Sequence, residues 1–110
     1  MRKNANDFFT LDYIFVQRIG LFYVDIEWAR KLMDEYYATL PKEIVDCYHN
    51  SNQEVFMRFK DGSTIKAFPA RIDVRGFRVD KAIIQNTTND EYVKHIKGRV
   101  GTGGNIFYRE

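Results

Sequence analysis

Arg18-Ile19-Gly20-Leu21-Phe22-Tyr23-Val24-Asp25, followed without a break by Ile26-Glu27-Trp28-Ala29, decides the fold class. The first seven residues form a compact apolar run that reads as a buried strand. Asp25 is a good N-cap, and Glu27 suits the positive end of a helix dipole. Beyond it Ala29, Leu32, Met33, Tyr36 and Leu40 recur at helical spacing until Pro41 stops the pattern. A strand running directly into an amphipathic helix over 26–40 predicts α/β architecture.

Residues 53–69 read as a β-hairpin. Val55, Met57 and Phe59 alternate with Glu54, Phe56 and Arg58. Lys60-Asp61-Gly62-Ser63 supplies the turn, with Gly62 able to take positive φ. Thr64 to Phe68 returns, and Pro69 ends the pairing. An arginine-rich loop, Arg71 to Arg78, leads to a short strand, Lys81 to Gln85. Thr88-x-x-Glu91 predicts a capping box for a last helix, with Tyr92, Val93 and Ile96 inward and Gly98 as its stop. Gly101 to Gly104 reads as a flexible loop, and Asn105 to Tyr108 as a final strand. Upstream, residues 7–17 predict a short helix with Phe8, Leu11 and Phe15 on its apolar face, a strand being the competing reading. The expected whole is one small α/β domain over residues 1–110, a mixed sheet with a hairpin and two to three helices.

Composition narrows the class. The chain has 110 residues, is 45% hydrophobic and 29% charged, and suits a folded globular domain. No apolar stretch approaches the roughly 20 residues that a membrane span needs. Asp7 and Asp12 interrupt any signal-peptide core, so the expected location is the cytoplasm, that of the host cell if the chain is phage-encoded. A single cysteine, Cys47, excludes an intramolecular disulfide and reads as a small buried hydrophobe. The net charge of +2 conceals an asymmetry: residues 1–55 carry six Lys/Arg against nine Asp/Glu, and residues 56–110 eleven against six.

Asp61-Gly62-Ser63-Thr64-Ile65-Lys66-Ala67-Phe68, then Val74-Arg75-Gly76, then Ala82-Ile83-Ile84, resembles the middle of the phage large-terminase ATPase core. That family has an Asn/Asp-Gly-Ser-x-Ile hairpin, an Arg-Gly loop and a hydrophobic Walker B strand ending in Asp-Glu. The likeness extends back to Arg18–Phe22 and the helix ending at Leu40-Pro41. It extends weakly forward to Gly103–Tyr108, with the family's coupling motif degraded.

The departures carry the functional implication. At the Walker B positions stand Gln85 and Asn86, amides that cannot neutralise Mg²⁺ or orient water as carboxylates do. No Lys-Ser or Lys-Thr pair occurs, so there is no P-loop to cradle phosphates. The resemblance therefore implies a protein that is not an enzyme and needs no cofactor.

Other candidate sites are weaker. His49 and His95 lack a second ligand at metal spacing, and Cys47-x-His49 is too short for a zinc site by itself. Asp90-Glu91 is explained by helix capping. Ser63, Thr64 and Cys47 have no sequence-adjacent base. Trp28, Tyr36 and Tyr37 read mainly as core. The cluster with chemical interest is Arg58, Lys60, Lys66, Arg71, Arg75, Arg78 and Lys81, whose cations suit phosphate or carboxylate. Phe56, Phe68 and Phe77 stand near for stacking, and Asp61, Asp73 and Asp80 oppose part of the charge.

Three readings follow. The leading one is a non-catalytic phage or prophage protein that binds a protein partner, as an inhibitor of host defence (anti-CRISPR proteins included) or as a regulator of a packaging partner. The second is a small nucleic-acid-binding protein using the basic second half. The third, least supported, is an enzyme whose site is assembled from distant residues. Salt-dependent binding separates the second from the first.

Overall fold

The computed structural model describes residues 16–71 and 78–110, with backbone only for 101–105. The chain runs β1 (Arg18–Tyr23), α1 (Ile26–Thr39), β2 (Val45–Asn50), β3 (Val55–Phe59), β4 (Thr64–Pro69), β5 (Val79–Gln85), α2 (Asp90–Lys97) and β6 (Val100–Arg109). A 3-10 turn at Lys42–Ile44 joins α1 to β2. The strands form one mixed sheet in the order β2-β3-β4-β1-β5-β6. β1 lies between β4 and β5 and runs parallel to both, β5 and β6 are parallel, and β2-β3-β4 is an antiparallel meander.

Alternation along the strands sorts the core into two faces. On one, Ile19, Leu21, Met57, Ile65 and Ile83 pack against Leu32, Met33 and Tyr36 of α1. On the other, Phe22, Val79, Ala82 and Ile84 pack with Ile96 and, partly buried, Val93 of α2. Gly20 on β1 is required by close approach: a Cβ there would lie 2.7 Å from the Phe22 ring and 3.1 Å from Val79. That ring is itself fixed by stacking on Phe68.

The expected hairpin is present, turning at Gly62 with φ +94. Asp25 caps α1 as expected, its carboxylate accepting from the Glu27 N–H at 3.0 Å. Three local expectations are corrected. The N-cap of α2 is Asn89, which accepts from the Glu91 N–H, whereas the Thr88 hydroxyl donates back to the Gln85 carbonyl and closes the preceding turn. The segment 101–104 is not a separate loop but part of β6. The stretch from Val100 to Asn105 covers the register that Val79 to Lys81 covers on β5, so the extra residues are absorbed as a bulge. Cys47 is only half-buried, on β2.

β2 itself is an addition to the expected set. It carries little apolar alternation and is held by polar contacts to α1. The Tyr48 hydroxyl donates to Asp34, the Asn50 amide to Asp34 and to the Arg30 carbonyl, and the Tyr48 ring stacks on Tyr37. Burial, then the hydrogen bond to Asp34, pushes the Tyr48 phenol up to about 12. The expected helix at 7–17 falls almost entirely outside the described residues, and Val16 and Gln17 have no regular structure. Among the described residues no helix is long and apolar enough to cross a membrane.

Candidate functional site

The crossover directions define where a ligand would bind. The chain leaves β1 through α1 on one face and returns to β4, and it leaves β5 through α2 on the other face and reaches β6. Adjacent parallel strands whose crossovers part in this way create a crevice at their carboxyl ends, the usual ligand site of open α/β sheets. In this protein the crevice lies between Tyr23 and Gln85.

A side chain of the protein itself bridges it. The Gln85 side-chain oxygen accepts from the backbone N–H of Val24 at 2.8 Å and of Asp25 at 3.1 Å. These are the amides an incoming anion would need at the start of α1. Further into the turn, the Glu27 N–H is taken by the Asp25 carboxylate. Asn86 N–H donates to the Arg109 carbonyl, which ties the end of β5 to β6. β6 is in turn held to α1 by the Arg109–Glu35 ion pair at 2.6 Å and by Trp28 Nε1 donating to the Glu110 carbonyl. Asp25, Glu27, Glu54, Asp90, Glu91 and Glu110 crowd this carboxyl-end lip and repel anions. Arg30 and Arg109, nearby, are already paired to Glu27 and Glu35.

The sequence-derived basic cluster does not assemble as one patch. Arg58 and Lys66 do share a face, since Arg58 pairs with Thr64 and Lys66 with Phe56 on the side away from α1. Arg58 is engaged with Asp46 at 2.9 Å, and Lys66 Nζ sits 5.5 Å from the Phe68 ring centroid. Arg71 follows the end of β4, at the carboxyl-end lip. Arg78 precedes β5, at the opposite lip, and Lys60 occupies the hairpin turn at that same lip. Lys81 leaves the set: it is 5% exposed, placed beside Ile19 on the face that α1 covers. Arg75, Asp73 and Phe77 lie outside the described residues.

At the amino-end lip the structure adds two cations that are absent from the sequence-derived cluster. Arg18 opens β1, and Arg99 directly precedes β6, its carbonyl accepting from the Val79 N–H. A signal for them exists in the sequence. Arg18, Arg78 and Arg99 each stand within a residue of the start of a strand, and parallel strands place their starts along one edge. Elsewhere, no group of three or more metal-ligating side chains converges among the described residues.

No protein-family model matches the chain, and no curated protein does. Among solved structures it is similar to the large terminase of a thermophilic bacteriophage, with a TM-score of 0.62 and 14% identity. The match covers 94% of this chain and 27% of that one, so the chain spans about a quarter of the terminase's length. At this identity the likeness establishes a shared fold.

Proposed function

We propose that this chain is a non-catalytic phage or prophage protein, a terminase-like scaffold that works by binding a macromolecular partner. The observation that carries the reading is Gln85 seated on the Val24 and Asp25 amides. Two amides at the ligand crevice of the fold are thereby occupied by a neutral side chain of the protein itself. A carboxylate is absent at Gln85 and at Asn86, and no lysine followed by Ser or Thr exists to hold phosphates. The likeness to a large terminase supplies the scaffold, and the missing groups account for the missing chemistry. A packaging component, or a host-defence protein that meets the packaging machinery, is the partner class that suits a terminase-like surface without a motor.

Calorimetry with ATP and Mg²⁺ tests the occupied crevice. No heat of binding is expected up to millimolar nucleotide, and micromolar affinity would overturn the reading. The double variant Gln85→Asp, Asn86→Glu should remain without ATPase activity, since the carboxylates alone do not restore a phosphate cradle.

A further inference from the structure

We propose that the amino-end lip of the parallel strands is a docking rim for the sugar–phosphate backbone of duplex nucleic acid. Lys60, Arg18, Arg78 and Arg99 stand in that order along it, on the β3–β4 turn and at the starts of β1, β5 and β6. All four are exposed, and none forms an ion pair among the described residues. Hydrogen bonds fix the row. Gln17 N–H bonds Ser63 Oγ beside the turn, Arg18 N–H bonds the Asp80 carboxylate, and Val79 N–H bonds the Arg99 carbonyl. At about 4.8 Å per strand, the row spans roughly 17 Å of lip. A line of cations a few ångströms apart matches a linear polyanion better than a single point anion.

The opposing charges are few and partly occupied. Asp80 has one carboxylate oxygen held by the Arg18 amide, and Asp61 has one held by the Ser63 amide. Glu43 lies on the 3-10 turn beside Lys42, whose ammonium sits 3.4 Å from the Tyr37 ring centroid. Lys97 ends α2 at the same lip and adds to the positive side. The apolar groups displayed there, Val16 and Ile44, are aliphatic. No exposed aromatic ring among the described residues of the lip offers a stacking platform, which single-stranded binders use. The surface therefore fits backbone contacts without base readout, and so a duplex bound without sequence preference. It lies at the opposite end of the sheet from the Gln85 crevice, so it stands or falls independently of the ATP measurement.

Fluorescence anisotropy with a short labelled DNA duplex, and with the matching single strand, provides the test. Four phosphate contacts would weaken duplex binding on the order of 100-fold between 50 and 200 mM salt. Each of Lys60→Glu and Arg78→Glu should weaken binding and flatten that salt slope by about one unit. Lys31→Glu, an exposed charge on α1, should leave affinity and slope unchanged. Lys60 is on a turn, so its reversal keeps the test valid if a strand-start variant folds poorly. The proposal is overturned if duplex binding is absent at low salt or unaffected by the Lys60 reversal. It is equally overturned if the single strand binds more tightly, or if polyglutamate is captured and DNA is not.

Discussion

The two lips of the parallel strands are built from the same sheet and behave as opposites. At the carboxyl ends, α1 and α2 both begin, and their exposed amides are answered by Asp25, Asn89, Gln85 and a surrounding set of carboxylates. At the amino ends the helices finish, strands and turns begin, and the side chains are mainly cationic. Helix direction explains part of this polarity: acids at helix starts, with Lys94 and Lys97 at the end of α2, complement the macrodipoles. Lys60, Arg18 and Arg78 belong to no helix and fall outside that explanation. The contrast teaches that one lip has spent its polar groups on its own closure, while the other has left them facing solvent.

Removing the layer that holds both lips together has the largest expected effect. Leu32→Asp places a carboxylate in the α1 interface, where Leu32 is buried against the sheet. The expected cost is several kcal/mol, enough to unfold a marginally stable domain, read by circular dichroism and denaturant titration. A parent-like melt would mean that α1 does not cover this face.

A milder test bears on β1 alone. Gly20→Ala places a Cβ 2.7 Å from the Phe22 ring and 3.1 Å from Val79, so the ring must shift against the Phe68 ring stacked on it. Overpacking of this kind costs about 1–3 kcal/mol. An unchanged denaturation midpoint would show that the ring relocates freely. Gln85→Ala addresses the closed lip directly, for it strips two backbone amides of their acceptor. Both hydrogen bonds are exposed, so water can replace the amide oxygen, and a loss of about 1 kcal/mol or less is expected in denaturant titration. The outcome measures how far Gln85 seals the crevice rather than merely touching it.

What the sequence makes legible follows the same physics. The β1–α1 junction and the Asp61-Gly62 hairpin announce themselves because apolar period and turn chemistry agree. β2 does not: Val45-Asp46-Cys47-Tyr48-His49-Asn50 is half-polar, and its place is fixed by Tyr48, Asn50 and Arg30 reaching α1, partners distant in sequence. β6 is half legible, since glycines at 101, 103 and 104 look like a loop although they form a bulge within a strand. Lys81 reads as surface because charge outranks context in a linear sequence, and β1 with its covering helix settles the matter. Arg18 and Arg99 are half legible: each stands beside a strand start in the sequence, but their common edge exists only once strands 1, 5 and 6 are known to be parallel.

The smallest effect separates the lips most cleanly. Glu91 lies in the first turn of α2, where a negative charge meets the positive end of the helix dipole. Glu91→Lys should therefore destabilise the fold by about 0.3–1 kcal/mol at low salt, and by less as salt screens the interaction. Lys60→Glu changes the same magnitude of charge on an exposed turn that belongs to neither α-helix. Its effect on stability should stay within about 0.5 kcal/mol. Paired denaturant titrations at low and high salt measure both. If the two reversals cost the same and respond equally to salt, the polarity of the lips has no relation to helix direction. If only Glu91→Lys is costly, the carboxyl-end acids are explained by folding, and the cations at Lys60, Arg18 and Arg78 are left without a role in stability. A surface charge that folding does not require is then most simply explained by what it binds.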